Sequence, residues 1–153
     1  WILGRLSTAG WGEVRLLAPY AVICVVGLLL SVGALDVLAV GEEEATPLGL
    51  KPRAIRRLVL LVASLGAAAA VAVSGIIGFV GLVVPHVMRM LTGPDHRSLF
   101  PASILGGAIL LVGADMAART LISPAEIPLG VITSLLGCPF FLFLLRRRRE
   151  LPL

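Results

Sequence analysis

The chain has 153 residues, of which 58% are hydrophobic and 14% charged. Soluble domains carry roughly 45–50% apolar and about 25% charged residues. A disordered chain is therefore excluded, and a soluble globular one very nearly so, because a chain of this size cannot hide that much apolar surface from water without lipid around it. Thirteen Lys and Arg against nine Asp and Glu give a net charge of +4, and the basic residues cluster between and after apolar runs, at Lys51–Arg57 and Arg146–Arg149. Such clusters mark the cytoplasmic side of a membrane protein, so lipid bilayer rather than nucleic acid is the expected partner.

In chain order, Trp1–Arg15 is mixed and carries Trp1 and Trp11, a residue type that favours the membrane interface. The sequence begins without Met and without a basic segment leading to a cleavage site, and so reads as a piece of a longer chain. Leu16–Leu35 is free of charge and long enough for one crossing. Asp36–Arg57 is the most polar stretch. Leu58–Leu91 is mostly apolar. As a single helix it would be about 51 Å long, against a hydrocarbon core about 30 Å thick. Ser74, Gly75 and Gly78 lie near its middle and offer a break. The run is accordingly divided into crossings at 58–74 and 76–91, joined by a tight turn. Thr92–Ser98 is a polar turn in which His96 is expected to be solvated. A crossing at 99–119 follows, carrying Asp115 and Arg119. Ser123–Pro128 is a turn, 127–145 is the last crossing, and four arginines follow it.

Charge placement supports this division. Five crossings put Lys51, Arg53, Arg56, Arg57, Arg89, Arg97 and Arg146–Arg149 on one side, and only Arg5, Arg15 and Arg119 on the other. The positive-inside rule then places the C-terminus and the 36–57 loop in the cytoplasm. A four-crossing arrangement would spread the basic residues far more evenly. The expected fold is an all-α membrane protein of about five transmembrane helices in a single domain over 1–153. The spans are rich in small residues. Gly66–Ala70 and Gly106–Ala108 are examples, and Gly75, Gly78 and Gly81, with Pro85 beyond, form a stepped series. Small faces let helices approach closely in lipid, so helix packing is the expected role of these four residues. Cys24 and Cys138 lie in apolar stretches with no metal-ligand spacing, and read as small buried hydrophobes.

Three stretches taken together carry a resemblance. The first is Leu38-Ala39-Val40-Gly41-Glu42-Glu43-Glu44-Ala45 with Leu48-Gly49-Leu50. The second runs from Gly75 through Gly78, Gly81, Pro85 and His86 to Gly93, Asp95, His96 and Arg97. The third comprises Ala114-Asp115, Arg119, Glu126-Ile127-Pro128-Leu129-Gly130 and Gly137-Cys138-Pro139-Phe140-Phe141. In this order and spacing they resemble the FecCD/BtuC-like permease subunits of bacterial ABC importers for iron–siderophores, haem and cobalamin. The resemblance covers essentially the whole chain and implies the C-terminal half of a ten-helix permease in the bacterial inner membrane. It also implies three protein partners: an ATP-binding subunit, a substrate-binding protein and a second permease copy.

The resemblance assigns roles to residues. Leu38, Gly41, Glu42, Glu43, Glu44, Ala45, Leu48 and Gly49 would form a short cytoplasmic coupling helix seated on the ATP-binding subunit. Read without the resemblance, the same acidic segment is either a solvated loop or the start of a short helix, where carboxylates in the first turn suit the dipole. Arg119 would dock the binding protein at the outer face. It is also four residues after Asp115, on the same helix face, where an internal ion pair is the alternative. Gly130, Thr133, Ser134 and Gly137 form a small, weakly polar stripe that would border the translocation path, or else serve helix packing alone. His86, beside Pro85, is either a metal ligand or a hydrogen-bonded packing residue, and no second ligand accompanies it. No phosphate-binding loop, nucleophile elbow or zinc-protease motif is present, so neither catalysis nor a cofactor is expected. The other reading of the composition is a stand-alone helical membrane protein with a structural or anchoring role.

Overall fold

A computed structural model describes residues 4, 6, 9–40, 51–120 and 127–149. They form five α-helices: α1 (Trp11–Val40), α2 (Pro52–Ser74), α3 (Val80–Thr92), α4 (His96–Thr120) and α5 (Leu129–Arg149). No strand occurs among the described residues. This is the all-α, five-helix membrane architecture expected from the sequence.

The helix starts follow local chemistry. Glu13 lies three residues past Gly10 and its Oε2 accepts the Gly10 N–H at 2.8 Å, which is half of a capping box. Pro52 opens α2 at a position where its missing N–H costs nothing. Gly75 (φ 71°) and Gly93 (φ 89°) close α2 and α3, donating to the Val71 and Arg89 carbonyls. Only glycine adopts such φ values without strain.

α1, α2 and α4 are long and apolar enough to cross a membrane. The run expected to cross at 76–91 behaves differently. Gly75–Phe79 is not helical, so the break is a short irregular segment rather than a tight turn. α3 then has only 13 residues, about 20 Å of helix. The physical reason is Phe79, which takes φ 65° and so cannot continue a right-handed helix.

Pairs of helices pack through small residues. A Cβ built on Gly27 would lie 3.2 Å from Val62 Cγ1, and one on Gly66 would lie 3.0 Å from Cys24 Sγ. The Cys24 thiol donates to the Val62 carbonyl at 3.3 Å. These contacts hold α1 against α2, which has no buried residue of its own. α3 meets α4 where Met88 and Val84 cover Gly106. The buried core joins α4 to α5 through Ala114, Ala118, Leu129 and Ile132. Cys24 is buried as expected. Cys138 is exposed, a correction to its expected burial: its stretch of α5 is apolar all round, so composition could not say which face turns inward.

Candidate functional site

Polar side chains gather at helix ends. At the C-terminal end of α4, Arg119 Nε donates to Asp115 Oδ2 at 2.8 Å, with the arginine side chain 48% exposed. The i, i+4 spacing aligns the two groups on one helix face. The internal pair therefore forms, and the guanidinium remains reachable from outside.

The α5 stripe is positioned by the segment before it. Leu129 N–H donates to the Gly4 carbonyl at 3.1 Å and Ile127 N–H to the Ala118 carbonyl at 3.4 Å, which fixes the start of α5 against α4. Thr133 is buried and its hydroxyl donates to the Gly130 carbonyl at 3.2 Å. Ser134 Oγ faces Gly78, 3.6 Å from where a Cβ on that residue would lie. Gly137 is buried directly beneath Phe79, whose Cβ would be only 2.2 Å from an added methyl group. Within this chain, then, Ser134 and Gly137 pack against the irregular segment between α2 and α3. The stepped glycines have different surroundings: Gly75 caps α2, Gly78 meets Ser134, and Gly81 has nothing within 4 Å of an added Cβ. Pro85 lies inside α3, next to buried Val84. His86 packs edge-to-face on Phe140, with ring centroids 5.7 Å apart.

At the opposite end of α4, the structure corrects the expectation for His96. It is half-buried rather than solvated. Asp36 Oδ1 accepts its backbone N–H at 3.1 Å and lies 2.5 Å from its Nδ1. Asp95 Oδ1 accepts the Arg97 N–H at 3.3 Å, and the Ser98 hydroxyl donates to the Asp95 carbonyl at 3.2 Å. In the sequence Asp36 reads only as the first polar residue after a span. The signal that could have found it is physical: a carboxylate at the end of an apolar helix needs a partner, and an orphan helix N-terminus supplies one. Of the proposed coupling residues, Leu38 is half-buried near the end of α1. Gly41, Glu42, Glu43, Glu44, Ala45, Leu48 and Gly49 lie outside the described residues; of the expected 36–57 loop, residues 36–40 belong to α1 and 52–57 to α2.

Apolar helices packed through glycine and alanine, with polar contacts at their ends, define the class as a helical membrane protein. The chain belongs to the FecCD transport family, which it matches over residues 1–147. It is 49% identical over 152 residues to the hemin transport system permease protein HmuU of Yersinia pestis, covering 98% of this chain and 45% of that protein. It is 47% identical over 148 residues to the cobalamin import system permease protein BtuC of Halobacterium salinarum, covering 97% and 40%. It is 43% identical over 151 residues to the Fe(3+)-citrate import system permease protein YfmD of Bacillus subtilis, covering 99% and 45%. A solved structure, an inward-facing conformation of a metal-chelate type ABC transporter, superposes with a TM-score of 0.89 at 38% identity, covering 96% of this chain and 47% of that one. The chain thus spans about half the length of the relatives it matches.

Proposed function

We propose that this chain works as the C-terminal half of a permease subunit in an ATP-driven importer, moving an iron chelate, haem or a corrinoid across the bacterial inner membrane. The observation that carries this is coverage: nearly the whole chain aligns at 49% identity with a hemin permease, and at comparable identity with cobalamin and ferric-citrate permeases. A ferric siderophore is the first substrate to test.

In this reading, residues 41–49 seat on a separate ATP-binding subunit, which hydrolyses the nucleotide, and the C-terminus lies in the cytoplasm. Arg119, held by Asp115 yet half-exposed, offers its outward N–H donors to carboxylates of a substrate-binding protein. Gly130, Thr133, Ser134 and Gly137 belong to the helix that borders the path between two permease copies. On that helix Thr133 spends its hydroxyl on the Gly130 carbonyl, so it offers no free donor to a passing chelate.

The test is uptake by the full-length permease, assembled with its ATP-binding subunit and binding protein in proteoliposomes. It is offered ferric siderophore, haem and cobalamin in turn. ATP-dependent accumulation of one of these is expected. Accumulation of none, with an assembled complex, would overturn the reading. Co-purification of the ATP-binding subunit should also be lost on Glu43→Lys, and equal recovery with that variant would remove residues 41–49 from the contact.

A further inference from the structure

We propose that Asp36 and His96 form a positioning pair that carries movement of the C-terminal end of α1 into α4. The inference deepens the permease reading and rests on it.

A single carboxylate oxygen makes both contacts. Asp36 Oδ1 accepts the N–H of the first residue of α4 at 3.1 Å and meets that residue's Nδ1 at 2.5 Å, across 60 positions of sequence. An acceptor and a negative charge both suit a helix N-terminus. Yet α4 does not need Asp36 in order to begin. Asp95 already caps it locally, accepting from Arg97 N–H, while Leu99 N–H and the Ser98 hydroxyl both donate to the Asp95 carbonyl. The contribution of Asp36 is therefore a tie between two separate units rather than helix initiation.

Those units are the two helix hairpins. α1 and α2 are locked together where Gly66 meets Cys24 and Gly27 meets Val62. α3 and α4 are locked where Met88 covers Gly106. Close packing of this kind makes each pair move as a body. Asp36 stands four residues before the end of α1. His96 stands at the near end of α4, whose far end is cored against α5 by Ala114, Ala118, Leu129 and Ile132. A push on the end of α1 thus has a continuous route: to Asp36, across to His96, along α4 and into α5. Both side chains of the pair are about 30% exposed, which screens the contact less than at a fully exposed site.

The experiment places a reporter at the far end of α4. Met116 is 62% exposed there. The full-length permease carrying Met116→Cys and Cys138→Ser is assembled with its ATP-binding subunit in proteoliposomes. Maleimide labelling of residue 116 is then compared between the nucleotide-free and the ATP–vanadate-trapped states. Nucleotide is expected to change the labelling rate in the parent. In Asp36→Ala and His96→Gln that change should shrink about tenfold, within the ordinary range of coupling between sites, while ATP hydrolysis continues. Asp36→Asn retains the capping acceptor and should fall between. If the parent responds and these variants respond equally, the pairing is overturned and the permease reading stands. A fall in hydrolysis in step with labelling would also overturn it, since that marks a merely structural role. A parent that does not respond at all would overturn the permease reading, and the pair's role with it.

Discussion

At position 137 a single methyl group decides whether two segments can meet. A Cβ there would fall 2.2 Å from Phe79 Cβ and 2.3 Å from its Cγ, and Phe79 is already held at φ 65°, so it has little freedom to retreat. Overpacking of this kind costs about 1–3 kcal/mol, more than the roughly 1 kcal/mol of helix propensity that alanine gains over glycine. Gly137→Ala is therefore expected to lower the melting temperature in detergent. Gly113→Ala, with nothing within 4 Å of the new atom, should leave it unchanged or slightly raised. Thermal unfolding of the two variants side by side checks the contrast. Arg119 calls for a different measurement. Its ion pair with Asp115 is half-exposed, and such i, i+4 pairs contribute about 0.3–0.5 kcal/mol. Arg119→Glu should leave stability nearly untouched but weaken association with the substrate-binding protein about tenfold or more, most strongly at low salt, where charge steering and pairing are least screened. Unchanged affinity in a titration would remove Arg119 from the docking surface.

Between elements, shape complementarity does the work that hydrophobicity does in water. α2 has no buried residue, yet it lies against α1 because Gly66 admits Cys24 and Gly27 admits Val62. In lipid, close approach of small residues supplies the association energy. Gly66→Ala should therefore weaken the α1–α2 contact, and Cys24→Ala should relieve part of that loss by vacating the space the new methyl group needs. A double-mutant cycle on detergent stability is expected to be non-additive by about 0.5–3 kcal/mol, as for residues in contact. Additive effects would mean the two residues do not meet. The presence and order of the helices were legible from apolar run lengths and charge placement. The irregular segment Gly75–Phe79 was legible only as a place to break, since nothing local requires Phe79 to adopt a left-handed conformation. In that conformation Phe79 lies directly against Gly137 of α5, a contact distant along the chain.

Over the whole molecule, the described helices present large apolar side chains outward, among them Leu30 at 81% exposure and Ile109 and Leu135 at 73%. Contiguous apolar surface of this kind marks contact with lipid or with other helices. Expressed by itself, the chain is expected to sediment with membranes and to stay soluble only in detergent, and to support no uptake of ferric siderophore, haem or cobalamin. A monodisperse monomer in detergent-free buffer would contradict the first expectation, and uptake by cells carrying this chain alone the second. An open apolar cavity of about 530 Å³ between α4 and α5, lined by residues such as Ile109, Val131 and Leu135, belongs to the same outward-facing surface.

The amino-acid sequence by itself determined that the chain is all-α and apolar enough for a membrane, that its main break falls near Gly75, and which family it belongs to. Those properties depend on run length, composition and short-range motifs, all of which are local along the chain. Only the tertiary structure decided that Asp36 reaches His96, that Thr133 and Gly137 turn inward, that Cys138 turns outward, and that Gly75, Gly78 and Gly81 have three different surroundings. In helices apolar on every face, rotation about the helix axis leaves no periodic trace in hydrophobicity. Which side chain meets which neighbour is then set by the fit of one helix surface into another.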